Sequence, residues 1–161
     1  MELVGVNAAA EKAAQVLSKF RSDGQKPIFV QHIATNPQAR FFQADSRGVK
    51  LHKSIEPKPS EKIIVKHHPN SFRDTSLLEY LRKHEISELV VCGMMTHMCV
   101  DTTVRAAAEF GFSCTVIGDA CATLNLEHEG RVVDSQDVQS AFLAALDGSF
   151  AQVKTAQQYL Q

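Results

Sequence analysis

Two residues of this 161-residue chain have the type and setting for chemistry: Cys99, in "GMMTHMCV" (93–100), and Lys66, which ends the apolar run "IIV". Cys99 falls where a buried strand gives way to a helix. A thiol in the first turn of a helix meets unpaired backbone N–H groups and the positive end of the dipole, which favour the nucleophilic thiolate. A lysine opening on the same side of a sheet adds to that field. A turn rich in N–H groups also suits the oxyanion formed when a thiolate attacks a carbonyl. The plainer readings are that Cys99 is a small core residue and Lys66 a solvated strand end. Cys92, Cys114 and Cys121 lie in or beside apolar segments and read as small hydrophobes. His67, His68 and His97 suit surface or loop roles, and Met94, Met95 and Met98 suit a pocket lining or the core.

The elements that must position this pair alternate. Residues 7–24 form a helical pattern with Asn7 as N-cap, Ala10, Ala13, Ala14, Leu17 and Phe20 on one face, and Gly24 as the stop. "PIFVQH" (27–32) and "KIIVKHH" (62–68) read as strands, separated by a long irregular stretch, 33–61, of the kind that covers a site. A helix over 74–86 is capped by Asp74 or Thr75 and turns Leu77, Leu78 and Leu81 inward. "ELVVCG" (88–93), a helix over 99–110, and "SCTVIGDA" (113–120) follow. Residues 122–133 read as a loop, hairpin-like at Glu129-Gly130. A capped helix over 134–148 then faces Val138, Phe142, Ala145 and Leu146 inward, and a last strand (151–156) and a short turn end the chain. Continuously apolar strands alternating with amphipathic helices predict an α/β fold: a mainly parallel sheet in three α/β/α layers. Chemistry in such sheets gathers at the carboxyl ends of strands.

Bulk properties narrow the classes. The length suits a single domain, 1–161, and 44% hydrophobic residues with a net charge of −1 is ordinary for a globular protein. No basic patch points to nucleic acid, and no apolar run suits a membrane span. Four cysteines outside CxxC pairs suit a reduced, cytoplasmic protein. The scattered histidines suggest no metal site and no cofactor.

The stretch "IIVKHHPNSFRDTSLLEYLRKHEISELVVCGMMTHMCVDTTVRAAAEFGFSCTVIGDACAT" resembles the isochorismatase-like cysteine hydrolases, which include nicotinamidases and related amidases. The features that carry it are Lys66 at a strand end, Ser71-Phe72 and Thr75, the Gly93–Val100 turn with Thr96 and Cys99, and Asp119-Ala120. The resemblance implies acyl transfer on a small amide, imide or carbamoyl-type substrate through a Cys99 thioester. Lys66 would hold the thiolate and position the acid–base partner. It also implies a non-proline cis peptide between Met94 and Met95, with the N–H groups of Met95 and Cys99 forming the oxyanion hole. Phe72, Thr96 and His97 would line the substrate pocket, and the chain would be a homo-oligomer. Members that hydrolyse isochorismate lack this cysteine, so its presence argues against that substrate.

Two departures stand out. Where zinc-binding nicotinamidases carry an Asp-x-His pair, this chain has "QHIATNPQARFFQAD", so no metal and a substrate other than nicotinamide are expected. The resemblance also implies strand order 3-2-1-4-5-6 and a catalytic aspartate ending a central first strand. "MELVGVN" reads as the loop entering the helix beyond that strand, and neither Asp23 nor Asp45 stands in the aspartate's place. The expectation is an amino-terminally shortened chain lacking that strand, or a slot filled by another segment. A catalytically inactive oligomeric protein of this fold, or a thiol sensor, are the competing functions.

Overall fold

The computed structural model describes residues 3–161. The apolar runs form parallel strands: β1 (Ile28–His32) pairs with β2 (Lys62–Lys66). In a second sheet β3 (Glu88–Met94) pairs with β4 (Ser113–Ala122), which pairs with β7 (Gln152–Lys154). Helices α1 (Val6–Ser22) and α5 (Ala156–Leu160) cover one face, where Ala13, Val16 and Ala156 meet Ile117 and Ala120. Helices α2 (Leu77–Lys83), α3 (Asp101–Glu109) and α4 (Ser135–Leu146) cover the other. There Leu81, Val104, Ala107 and Leu146 pack on Ile64, Cys114 and Val116. The architecture is the expected three-layer α/β/α fold, because strands with apolar side chains on both faces must be covered twice.

Among the described residues no ladder joins β1–β2 to β3–β4–β7, and β1 and β3 each pair on one side only, the break left in the expected order 3-2-1-4-5-6 when its central first strand is not among these residues. Even so, Ile28 and Ile64 of the first sheet share a core with Leu89, Val91 and Val116 of the second. The same helical layer therefore spans both. Cys92, expected in a strand interior, is exposed. α1 lies chiefly over β4, so the end of β3 is left uncovered on that side.

Helix ends differ locally from the sequence pattern. α1 begins at Val6, because Ala9 N donates to Gly5 O (3.0 Å) and closes a turn before Asn7 can cap. Its buried stripe is Ala9, Ala10, Ala13, Val16 and Leu17, which leaves Ala14 and Phe20 at the margin. At α2, the Thr75 hydroxyl accepts from Leu77 N (3.2 Å) and donates to Ser71 O (2.6 Å). Asp134 caps α4 by accepting from Gln136 N (2.8 Å), and Ala145 lies exposed. β5 (Leu126–His128) and β6 (Arg131–Val133) form the hairpin, with Glu129 and Gly130 at φ 50° and 76°, a turn that matches strand twist. The chain end is a full helix, α5, started by a Thr155–Gln158 capping box.

Candidate active site

The turn that carries Cys99 starts with a glycine. Gly93 has φ 141°, a backbone position that side-chain-bearing residues rarely adopt, and the Met94–Met95 peptide after it is cis. Thr96–Val100 then make one π-helical turn. The Met95 carbonyl accepts from Met98 N (3.1 Å) and Val100 N (3.2 Å), and the chain runs on into α3. Cys99 thus stands in a wide turn just ahead of α3, rather than in that helix's own first turn, and it is half-buried. Asp101 puts an anion two residues on. Arg105, one turn further, grips it with Nε at 3.0 and 3.1 Å and Nη2 at 2.9 Å, so its charge is largely compensated.

Lys66 is buried at 4% exposure, against the solvated reading. Its Nζ donates to the Pro69 carbonyl (2.5 Å). Thr103, one helical turn beyond Cys99, donates to the same carbonyl (3.4 Å). The Thr103 hydroxyl also accepts from Ser71 N (3.1 Å) and lies 2.9 Å from Ser71 Oγ, a pattern that uses its one hydrogen and both lone pairs. Lys66 and the helix that follows Cys99 are therefore fastened through one carbonyl.

Across the β1–β2 ladder from Lys66 stands His32, whose ring stacks on Phe42 (centroids 4.7 Å apart, 16° between planes). Its Nδ1 is buried with no hydrogen-bond partner among the described residues. Burial first, and then the charge of Lys66, hold its pKa below the ordinary imidazole value. Phe42 comes from the long 33–61 stretch. Together with Arg40, Phe41 and Gln43 it faces Met94 and Met95 across an open cavity of about 750 Å³. The long stretch does border the turn, but its wall-forming residues carry no motif that would single them out in the sequence.

The three residues expected to line the pocket are placed elsewhere. Phe72 is buried in the core between Phe110 (5.2 Å, edge-on) and Phe112 (6.1 Å, stacked). Thr96 is fully buried and donates to Gln139 Oε1 on α4 (2.6 Å). His97 bonds Thr123 Oγ1 through Nδ1 (2.5 Å) and sets its ring edge-on to Phe142. Thr96 and His97 brace the turn from behind. Among the described residues, no three His, Cys, Asp or Glu side chains converge as a ligand set.

The family model of the isochorismatase domain matches residues 2–158. The chain belongs to the isochorismatase family. Among its relatives, YddQ, an uncharacterised isochorismatase-family protein of Bacillus subtilis, is 47% identical over all of this chain and 89% of its own length. A streptothricin hydrolase of Streptomyces noursei is 37% identical over 74% of this chain and 47% of its own. The crystal structure of an isochorismatase from Pseudomonas putida superposes with a TM-score of 0.89 at 31% identity, covering 98% of this chain and 80% of that one. The protein is accordingly an isochorismatase-family hydrolase. Its α/β architecture is that of these relatives.

Proposed function

We propose that this isochorismatase-family hydrolase cleaves a small amide, imide or carbamoyl-type C–N bond with Cys99 as nucleophile. The observation that carries the reading is the shared Pro69 carbonyl, which ties a buried lysine to the helix that follows Cys99. A buried ammonium needs an anionic or strongly polar partner, and one neutral carbonyl meets only part of that need. A thiolate nearby would meet the rest.

The substrate carbonyl would enter from the cavity beside Met94 and Met95. The Cys99 thiolate forms a C–S bond to the carbonyl carbon, and the electron pair moves to oxygen. N–H groups of the turn, those of Met95 and Cys99, would receive that oxyanion. Collapse breaks the C–N bond, and the amine leaves with a proton taken from solvent water. Water then attacks the thioester, releasing the acid and restoring the thiol. The similarity to a streptothricin hydrolase supports hydrolysis of this general kind.

The decisive test is intact-mass detection of a Cys99-acyl adduct after mixing with a panel of small amides and N-carbamoyl compounds, with Cys99→Ala as control. The reading requires an adduct of acyl mass that decays with product release. Turnover retained by Cys99→Ala would end it.

A further inference from the structure

We infer that Gln139 is a positioning residue that sets the aim of the Cys99 turn from behind, an inference that rests on Cys99 being the nucleophile. Gln139 is half-buried on α4 and far from the turn in sequence. Its Nε2 donates to the carbonyls of Gly118 (3.0 Å) and Cys121 (3.4 Å). Those two bonds occupy both amide hydrogens and fix which end of the amide is which. Oε1 is left as a pure acceptor, and it takes the hydroxyl of Thr96 at 2.6 Å. Thr96 opens the π-helical turn, three residues ahead of Cys99, and is 0% exposed.

One of the two carbonyls, that of Gly118, is not an ordinary ladder group. β3 and β4 lose register between them: Val91 faces Val116, but Gly93 faces Cys121. Gly118 therefore lies in a bulge of β4 that β3 does not match, and buried carbonyls there need a donor from elsewhere. α4 comes close enough to supply one. A Cβ on Gly118 would approach Leu143 Cδ1 to 2.9 Å. One side chain thus fastens three things at fixed separation: the bulge in β4, the helix α4 and the first residue of the nucleophile's turn. A second strut is the His97–Thr123 bond, just past the end of β4, with the His97 ring set against Phe142 of α4. Without Gln139, the turn keeps that strut but loses its hydrogen-bonded hold on α4, and Cys99 can swing.

The inference is tested with Gln139→Leu, Gln139→Glu, Thr96→Val and Thr96→Ser. Three measurements are made: thermal melting, steady-state amide cleavage, and iodoacetamide alkylation of Cys99 followed by peptide mass mapping across pH. Gln139→Leu and Thr96→Val should lower kcat roughly 10- to 100-fold with KM within about twofold, as expected for a misaimed reacting group. Both should also displace the pH profile of Cys99 alkylation. Gln139→Glu keeps the acceptor for Thr96 but cannot donate to the carbonyls, so it should fall between them and wild type, while Thr96→Ser should recover most of the activity. Variants that melt lower yet keep wild-type kcat and alkylation profile would overturn the inference, as would a change in KM alone. Absence of any acyl adduct in the wild type would instead sink the hydrolase reading. The alkylation profiles would still decide on Gln139.

Discussion

Lys66 Nζ and Thr103 Oγ1 donate to the same acceptor, the carbonyl of Pro69. The first residue ends β2 and the second lies one turn past Cys99, so a single peptide group sets the spacing between the ammonium and the nucleophile's helix. Each half of that clasp can be removed separately.

Replacing Lys66 by Met keeps the length of a side chain that is 4% exposed and deletes its charge. If the ammonium favours the thiolate, alkylation of Cys99 at pH 7 should slow in Lys66→Met, by roughly tenfold for each 1.4 kcal/mol of lost charge stabilisation. Amide turnover should fall at least as far. Equal alkylation rates in wild type and Lys66→Met would show that the two groups do not communicate.

Thr103→Val leaves Lys66 in place and removes the hydroxyl that holds Ser71 and Pro69. Urea denaturation should show a loss of about 1–3 kcal/mol, because Ser71 is buried and its N–H loses its acceptor. Turnover should also decline, since the segment that locates Pro69 is freed from α3. Unchanged stability would mean that the 69–71 segment is held by its other contacts.

His32 and His97 both have pKa values below the ordinary imidazole value, chiefly through burial, which Asp101 partly opposes at His97. Both are neutral near pH 7 and resist protonation when folded. The unfolded chain takes up protons first, at about 6.5. Stability from these two sites is therefore present above that pH and declines as the pH falls through it. Two-dimensional NMR should show both rings titrating below 6.5. Phe42→Ala, which uncovers the His32 ring, should move that one back toward the ordinary value. A His32 titration unmoved by Phe42→Ala would remove the stacked ring as the cause of its burial.

Arg21 and Glu61 join the end of α1 to the strand β2, through Nε at 2.7 Å and Nη2 at 2.6 Å. The guanidinium holds the Glu61 carboxyl at about 2, well below its usual range. A depressed carboxylate contributes stability above its unfolded pKa and loses it as pH falls toward the folded one. Glu61→Gln should cost about 1 kcal/mol at pH 7 and little at pH 2, checked by urea melts at both values. A cost that is the same at both would show that the pair acts through shape rather than charge.

Much of this was legible because it is local. β1, β2 and β3 are strands because each has an unbroken apolar centre, Ile28–Val30, Ile63–Val65 and Leu89–Val91, and Glu129-Gly130 turns a hairpin because both residues accept positive φ. Gly93, Thr96 and Cys99 mark the turn through the family pattern that they match. The Thr155–Gln158 capping box was also there to be read, as a Thr followed three residues later by Gln. The partners of the turn were not. Gln139 meets Thr96 across 43 positions and Thr123 meets His97 across 26, contacts that only the packing of α4 and β4 creates. The burial of Phe72 was hidden for the same reason, since its ring packs on Phe110 and Phe112 far along the chain.

The division of the strands into two sheets has a consequence for how the molecule breathes. Among the described residues, β1 and β2 form strand pairs only with each other, and β3, β4 and β7 form their own set. Rupture of one set need not unzip the other, so the pair should behave as two cooperative blocks coupled through side-chain packing beneath a shared roof of helices. Lys66 rides on one block and Cys99 follows the other. The gap between them is then set by the relative motion of two bodies, with the Pro69 clasp and the Arg21–Glu61 tie as its restraints.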